Sequence, residues 1–382
     1  MFRVDRTGAA IIGAILMVVT GAIGFDEAVR AVDYRTLVLL FGMMILVAHL
    51  RLAGAFAALA GVVSRRATHP AALLVAIVVT VGVLSALFVN DTICLVFTPV
   101  VLDVAAARRH RPLPYLLALA TASNIGSVAT MAGNPQNMLV GTISGLSFRA
   151  FAAALAPVAL AGLAIDAALI WFMFRAELHA TSADDVPLPR IRCDRPLLVK
   201  SLIVASGVLV GFLAGYDTAM VAAAGAAVLL VTRRVAPRKI YAAIDWDLLM
   251  LFVGLFVVVG AVERAGIDRR IFEMLRPLGM QTVAGLSATA AVLSNAVSNV
   301  PAVMLLTRLV PALPDPRRAW LTLAMASTLA GNLTILGSIA NLIVVEGARR
   351  RGVIVRFGEY ARVGVPITLA TIACGVWWLV LY

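Results

Sequence analysis

Long apolar stretches alternate with short polar segments along the whole chain. Nine of these stretches have the length of a helix that crosses a lipid bilayer, because about 20 helical residues span its hydrocarbon core. The pattern therefore predicts an all-α polytopic membrane protein. The predicted full spans lie near residues 8–25, 36–53, 114–145, 150–174, 200–215, 218–232, 246–263, 319–346 and 362–381.

Two further apolar stretches, 70–107 and 281–312, are each long enough for two helices. Polar residues interrupt each stretch near its middle, at Asn90-Asp91-Thr92 and at Ser298-Asn299-Val300-Pro301. Backbone that leaves a helix at mid-bilayer depth cannot hydrogen-bond to lipid, so it must face protein or a water-filled cavity. We interpret both stretches as re-entrant helical hairpins.

The second half of the chain repeats the first in altered form, with the same order and nearly constant spacing. Internal repeats in a hydrophobic chain are typical of secondary transporters. We predict a first repeat over 1–176, a polar connector and a linking span over 177–217, and a second repeat over 218–382. Each repeat has four spans and one hairpin, so the linking span makes the number of crossings odd and the second repeat inverted. Matching pairs include Asp33 with Asp245, Gly42 with Gly254, Ser85 with Ser294, Asn90 with Asn299, Ser123 with Ser327, Gly133 with Gly337 and Asn137 with Asn341.

Composition supports a membrane protein, since 62% of the 382 residues are hydrophobic and only 14% are charged. The net charge of +12 reflects topology rather than nucleic-acid binding. With the N-terminus cytoplasmic, 22 of the 32 Lys and Arg residues fall in cytoplasmic segments, as expected for an inner (cell) membrane protein of bacterial type. Nine spans then place the C-terminus outside. The three scattered cysteines indicate neither a disulfide framework nor a metal site, and no catalytic constellation indicates an enzyme.

The polar atoms concentrate in the hairpin tips and in the spans 114–145 and 319–346, one in each repeat. Gly, Asn, Ser and Pro at this density predict that these two spans unwind at mid-membrane. Unwinding exposes carbonyls that can coordinate a cation, and it creates half-helix N-termini that favour an anion. Close packing of small residues is the alternative explanation. The first predicted cage comprises Asn90, Asp91, Thr92, Asn124, Gly126, Ser127, Thr130, Gly133, Asn134 and Asn137, and the second comprises Ser298, Asn299, Thr328, Gly331, Asn332, Thr334, Gly337, Ser338 and Asn341.

Ionisable residues inside spans are candidates for coupling ions. Asp91 lies at the first hairpin tip, where the second repeat has Val300. Asp166 lies midway along an apolar span, and it either carries a proton or is a neutral acid held by a neighbour. Arg308 either attracts an anion or extends to the membrane surface.

The same motifs resemble the ion transporter superfamily over essentially the whole chain. Residues 87–92, followed by Thr98-Pro99, are similar to the first hairpin of arsenite permeases. Residues 133–137, 298–301 and 337–342 most resemble a little-characterised branch of bacterial anion permeases. The superfamily also includes citrate carriers, divalent-anion/sodium symporters and one type of sodium/proton antiporter. The resemblance implies a homodimer in which the first two spans of each repeat form a scaffold. The hairpins and broken helices would form the part that moves, by an elevator-type shift.

In sodium-coupled members of the superfamily, a Ser-Asn-Thr motif at each tip helps to bind sodium and a substrate carboxylate. Neither tip of this chain keeps the motif, which argues against dicarboxylate transport and favours one sodium or proton site at Asp91. We expect ion-coupled, alternating-access transport of a small anion or oxyanion across the lipid bilayer. The alternatives are a sodium/proton antiporter that titrates at Asp91 and Asp166, a metalloid efflux permease for arsenite, and a channel. Candidate sodium ligands are Asn90, Asp91, Ser127 and Asn137.

Overall fold

The computed structural model describes residues 5–67, 69–178, 193–231, 234–275, 277 and 279–382, which contain helices and no β-strand. Most of the predicted connector lies outside these residues. The helices are α1 Arg6–Val19, α2 Phe25–Ala31, α3 Tyr34–Leu52, α4 Ala55–Arg66, α5 Pro70–Leu87, α6 Asn90–Ala107, α7 Leu113–Ser127, α8 Pro135–Ile143, α9 Phe148–Met173, α10 Arg175–Leu178, α11 Arg195–Leu213, α12 Thr218–Leu230, α13 Pro237–Tyr241, α14 Trp246–Arg264, α15 Ile267–Leu275, α16 Val283–Val297, α17 Asn299–Thr307, α18 Pro316–Ala330, α19 Ile339–Arg349 and α20 Phe357–Leu381.

Seven of the described helices are long and apolar enough to cross a membrane: α3, α5, α6, α9, α11, α14 and α20. Three more, α1, α12 and α16, are apolar but shorter. The predicted first span ends early, because α1 stops at Val19 and a separate helix starts at Phe25. The sequence did not predict the short helices α2, α4, α13 and α15. The prediction of an all-helical membrane protein is confirmed, while the number of crossings and their orientation stay predictions.

Each predicted hairpin is a pair of helices with a short tip. Phe88 and Val89 join α5 to α6, so the polar run that starts at Asn90 forms the first turn of a helix and not the break itself. Ser298 joins α16 to α17. Its φ of +78° lies in the left-handed region, which costs energy for any residue except glycine. The second tip is therefore held in a strained backbone conformation.

The predicted spans 114–145 and 319–346 are each broken into two helices, as the sequence predicts. A short 3₁₀ turn, Met131–Gly133, separates α7 from α8, and Ile335–Gly337 separates α18 from α19. Both breaks lie after the polar stretch 123–127 and its counterpart, which are still helical. Asn134 caps α8 by accepting from the Asn137 backbone N–H at 2.8 Å. The new helices thus begin at polar N-caps, which accept hydrogen bonds from first-turn N–H groups that have no partner within the helix.

The two halves exchange their first helices. Helix α1 packs along α14 of the second half, and α12 packs along α3 of the first half. Glycine allows the close approach at equivalent positions. An added Cβ at Gly42 would lie 2.8 Å from the backbone carbonyl carbon of Ala222, and one at Gly254 would lie 2.8 Å from that of Ala10. Small residues at a membrane helix interface permit such contact.

The hairpins and broken helices form the core of the molecule. Every residue of α7 is buried, and so are residues 319–330 of α18. Helix α5 packs on α7 and α16 packs on α18, while α6 and α17 contact the half-helices α19 and α8 of the other half. Helices α9 and α20 pack on each other along the same core. The polar side chains of α7 and of residues 319–330 are therefore enclosed by protein.

Candidate functional site

A cavity lies between the two hairpin tips and the two broken helices. Its empty volume is about 430 Å³, which includes its opening to solvent. Residues assigned to both predicted cages thus meet at one shared cavity. The lining residues are Arg6, Asn90, Asp91, Pro135, Gln136, Leu248, Leu251, Ser298, Asn299, Val300, Ser338 and Ile339.

Four helices begin at this cavity. Their first residues are Asn90 of α6, Pro135 of α8, Asn299 of α17 and Ile339 of α19. The first N–H groups of a helix have no partner within it, and the helix dipole is positive at this end. Side chains cap α8 and α19, but no side chain caps α6 or α17. The cavity therefore favours a ligand with negative charge or with electron-rich oxygen atoms.

Asn124 connects the first hairpin tip to the second broken helix. Its Oδ1 accepts from Asn90 Nδ2 at 2.9 Å and from Ser338 Oγ at 3.0 Å. Its Nδ2 donates to Asn332 Oδ1 at 2.8 Å and to Asn341 Oδ1 at 3.1 Å. All five side chains are buried. The Asn124 amide thus links the first hairpin tip to three residues of the second half of the molecule, one of which, Ser338, lines the cavity.

Thr328 makes the corresponding link from α18 to α8. Its hydroxyl oxygen accepts from Asn134 Nδ2 at 3.1 Å and from Gln136 Nε2 at 3.2 Å. The hydroxyl donates to Asn137 Oδ1 at 3.3 Å. Asn134 Nδ2 also donates to Ser127 Oγ at 2.9 Å. The wall behind the cavity is therefore a network of amides and hydroxyls in which neutral groups satisfy each other.

In each half, one asparagine clamps the break of the broken helix. Its amide nitrogen donates to two backbone carbonyls, one at the end of the preceding helix and one just before the 3₁₀ turn. The first of these, Ser127 O or Gly331 O, would otherwise be buried without a partner, which is costly. The second, Thr130 O or Thr334 O, also accepts from the backbone N–H of Gly133 or Gly337. Both carbonyls are consequently not free to coordinate a cation in this conformation. The two clamps are Asn137 to Ser127 O (3.0 Å) and Thr130 O (3.2 Å), and Asn341 to Gly331 O (2.7 Å) and Thr334 O (3.0 Å).

Charged groups gather at one side of the cavity. Asp91 is half-buried and lines both this cavity and a neighbouring one of about 450 Å³. Arg6 lines the first cavity, while Arg51, Thr92 and Asp245 line the second. Asp91 interacts electrostatically with Arg6 and Asp245. The carboxyl group of Asp91 is thus placed to exchange a proton or a cation at the edge of the cavity.

Several predicted site residues have packing roles. An added Cβ at Gly126 would lie 2.2 Å from Gly82 O, and one at Gly133 would lie 2.2 Å from Ser127 O. Other predicted residues bond to the hairpin arms or pack beside the second tip, so they shape the cavity without lining it. The Thr130 hydroxyl donates to Ala86 O, the Thr334 hydroxyl donates to Asn295 Oδ1 at 3.4 Å, Gly337 packs on Asn295, and Gly331 packs on Ser338 and Asn299.

Three polar residues at the site were missed from the sequence. Gln136 lines the cavity and lies inside the polar run 133–137, so its position was a usable signal. Asn295 donates to Ala330 O at 2.9 Å, three residues before the second tip. Arg6 is far in sequence from the other lining residues, and no sequence pattern predicts that it lines the cavity.

The other ionisable candidates lie away from the cavity lining. Arg308 forms an ion pair with Glu263, with 2.9 Å between Nη1 and Oε2. Asp103 pairs with Arg351. Asp166 is fully buried in α9. Arg308 therefore has a carboxylate partner and does not face the cavity.

Comparison with known proteins places these features in a family. The family model described as citrate transporter matches residues 1–330. The silicon efflux transporter LSI3 of Oryza sativa subsp. japonica is 32% identical, over 98% of this chain and 92% of that protein. A transporter of Dictyostelium discoideum named arsB is 26% identical, over 98% of this chain and 87% of that protein.

Among solved structures, the YdaH transporter of Alcanivorax borkumensis has a similar fold. The TM-score is 0.63 at 17% sequence identity, and the match covers 98% of this chain and 97% of that one. At this identity the similarity concerns the fold alone. The matched family and the relatives agree with the predicted resemblance to the ion transporter superfamily, and the chain belongs to the citrate transporter family.

Proposed function

We propose that this protein is a secondary active transporter that moves a small oxyanion, or its protonated oxyacid, by ion-coupled alternating access. The cavity where four helix N-termini meet is the observation that carries the proposal. Helix N-termini bind oxygen-rich ligands through backbone N–H groups. Broken helices at the centre of a repeated membrane fold are the usual place for a transported substrate.

The lining favours a small hydroxylated ligand. Asn90, Gln136 and Asn299 offer both donors and acceptors, while Arg6 is the one cation among the lining residues that the structure describes. A tricarboxylate would bring more negative charge than one arginine can balance, and buried charge without a partner is costly. A hydroxylated oxyacid needs no such balance. The relatives named for silicon efflux and arsB support silicic acid and arsenite as the first substrates to test, with citrate as the comparison that the family name suggests.

Asp91 is the residue that we assign to coupling at the cavity. It lies in the first turn of α6, next to Asn90, where it can sense both the ligand and the coupling ion. Two of the candidate sodium ligands, Ser127 and Asn137, are bonded to each other, since Asn137 Nδ2 donates to Ser127 O. This arrangement favours a proton over sodium as the coupling ion.

Alternating access follows from the division of the helices into two groups. The close glycine contacts of α3 with α12 and of α14 with α1 support a rigid scaffold. The buried hairpins and broken helices would shift against it together with the ligand. A homodimer formed through the scaffold is part of the same proposal, and it rests on the family resemblance.

Transport into proteoliposomes tests the proposal. The purified full chain is reconstituted, and uptake of silicic acid, arsenite, phosphate and citrate is followed at two pH values, with protein-free liposomes as the control. We expect protein-dependent, saturable uptake of at least one of the small oxyacids. The variant Asn124→Leu should lose this uptake, because it removes the amide behind the cavity, while Asn295→Ala at the hairpin arm should lose less.

A sodium jump on a solid-supported membrane, without added substrate, tests the antiporter alternative. A protein-dependent sodium current with a change of internal pH would contradict the proposal and favour a sodium/proton antiporter. Steady unitary currents in a planar bilayer would contradict it as well, since they would indicate a channel. Neither response is expected from a carrier that needs its oxyacid to complete the cycle.

A further inference from the structure

We propose that Asp166 is a proton-binding site inside the transport core, separate from the substrate cavity, and that its protonation couples to the cavity through α7. The inference rests on the proposed function. Asp166 lies in the middle of α9 and is 0% exposed. Among the residues that the structure describes, neither of its carboxyl oxygens has a hydrogen-bond partner.

Two hydroxyl groups lie near this carboxyl group, one on α20 and one on α7. On α20, the buried Tyr360 hydroxyl also lacks a partner in the described part of the chain, and it interacts electrostatically with Asp166 and Cys94. On α7, the Thr121 hydroxyl lies beside Asp166 but donates to Leu117 O at 2.8 Å.

No charged side chain from α5, α7, α11, α18 or α20 interacts with Asp166 within the described segments. A carboxylate in this place has no counter-ion among the described residues, and the one neighbouring hydroxyl that could stabilise it, that of Thr121, donates to Leu117 O. The protonated acid, in contrast, can donate to the Thr121 hydroxyl.

A continuous chain of hydrogen bonds joins this region to the cavity. Thr121 O accepts from Asn332 Nδ2 at 3.1 Å. Asn332 Oδ1 accepts from Asn124 Nδ2, and Asn124 Oδ1 accepts from the cavity-lining residues Asn90 and Ser338. Amides do not relay protons, so this chain of hydrogen bonds can pass on a movement of its side chains but not a proton.

Loss of the Asp166 proton changes the hydrogen bond that the Thr121 hydroxyl makes. The carboxylate of Asp166 can then accept the hydrogen that Thr121 now donates to Leu117 O, which alters the last turns of α7 before its break. Because Asn124 lies one turn further along α7, the change reaches the amide that holds both sides of the cavity.

The pseudo-symmetry of the fold argues that Asp166 is not needed for packing. Pro157 of α9 and Pro366 of α20 occupy matching positions, which aligns Asp166 with Gly375. An added Cβ at Gly375 would lie 2.7 Å from Met325 Sδ. One half thus fills this position with the smallest residue, and the other half holds a buried acid there.

Infrared pH titration of the purified full chain tests proton binding without any substrate. We expect a carboxylic-acid band that changes with pH in the unsubstituted protein, persists in Asp91→Asn and is lost in Asp166→Asn. The variant Tyr360→Phe, which removes one unpartnered hydroxyl, should shift the position of this band. A band that is unaffected by Asp166→Asn, or that keeps its intensity at every pH, would overturn the proposal.

Transport provides the second test, with arsenite as the probe in proteoliposomes. We expect Asp166→Asn to keep arsenite counterflow at equal pH on both sides and to lose accumulation driven by a pH gradient. Accumulation equal to that of the unsubstituted protein would overturn the proposal. Failure of the proposed function is distinguishable, because the unsubstituted protein would then show no counterflow with any oxyacid while the infrared titration still reports on Asp166.

Discussion

Asn137 and Asn341 satisfy the hydrogen-bonding demand that a broken helix creates. Each break leaves buried carbonyls without α-helical partners, and each asparagine donates to two of them, one of which has no other partner. The same residue type occupies equivalent positions of the two repeats because the two breaks pose the same problem. Asparagine fits, since its NH₂ group carries two hydrogens at the end of a short side chain.

We predict that Asn137→Asp destabilises the protein. The substitution keeps the shape of the side chain but removes both donors and leaves the buried Ser127 O unpaired, which costs about 1–3 kcal/mol. Thermal unfolding of the detergent-solubilised protein should show a lower midpoint. Asn341→Asp should act alike by pseudo-symmetry, and the exposed Gln281→Glu provides the control for an amide-to-acid change. Equal midpoints for Asn137→Asp and Gln281→Glu would contradict the clamp.

We also predict that Asp91→Asn abolishes coupled transport and leaves expression intact. Asparagine has a similar shape but cannot bind a proton or supply a negative charge at the cavity. The measurement is uptake of the transported oxyacid across a range of pH. Asp103→Asn, on the same helix but paired with the exposed Arg351, is the matched control and should transport normally. Normal transport by Asp91→Asn at all pH values would show that Asp91 is not a coupling site.

At the scale of elements, glycine sets how closely the scaffold helices approach. Gly42 and Gly254 lie where α3 meets α12 and where α14 meets α1, and at both places the partner backbone is in contact. Membrane helices have little hydrophobic force to hold them together, so close packing of this kind supplies much of their attraction. The scaffold should therefore be sensitive to single added methyl groups.

We predict that Gly42→Ala and Gly254→Ala each destabilise the scaffold by about 1–3 kcal/mol, because an added methyl group overpacks a tight contact. The matched control is Gly207→Ala on α11, where an added Cβ meets no atom within 4 Å. The control should be neutral or stabilising by up to about 1 kcal/mol, since alanine is the better helix former. Unfolding midpoints in detergent compare the three variants. Similar midpoints for all three would argue against a tight scaffold.

The sequence predicted elements better than contacts. Apolar length placed the spans, and the density of Gly, Asn and Pro placed both helix breaks. The position of the first tip was missed by two residues, because Asn90 and Asp91 are polar yet begin a helix that points its N-terminus at the cavity. The bond from Asn124 to Asn332 joins residues 208 positions apart. No local pattern encodes such a pair, and the repeat alone did not reveal that both tips share one cavity.

At the scale of the whole molecule, the helices assigned to the proposed scaffold and those of the proposed transport core share few polar contacts among the described residues. One lies between Thr36 of α3 and Thr142 of α8, whose hydroxyl oxygens are 2.5 Å apart. An elevator-type shift would separate this pair. We predict that the double variant Thr36→Cys/Thr142→Cys, oxidised to a disulfide, stops transport and that a reductant restores it. The background replaces the native cysteines Cys94, Cys193 and Cys374 with alanine.

The control cross-link lies inside the transport core. An added Cβ at Gly347 of α19 would lie 3.6 Å from the Thr98 Cβ of α6, within the range of about 3.5–4.5 Å that a disulfide needs. The double variant Gly347→Cys/Thr98→Cys should therefore transport in both redox states. Undiminished transport by the oxidised Thr36/Thr142 variant would contradict motion of α8 against α3.

The exchange of first helices between the halves has a consequence for biosynthesis. Helix α1 leaves the ribosome long before its packing partner α14, which is completed only when residue 264 has been added. Until then, the face of α1 around Ala10 has lipid as its neighbour. The protein therefore cannot fold one half at a time, and a chain truncated after residue 176 would lack the neighbours that both α1 and α3 require. Such a fragment would be a substrate for the membrane proteases that degrade unassembled proteins.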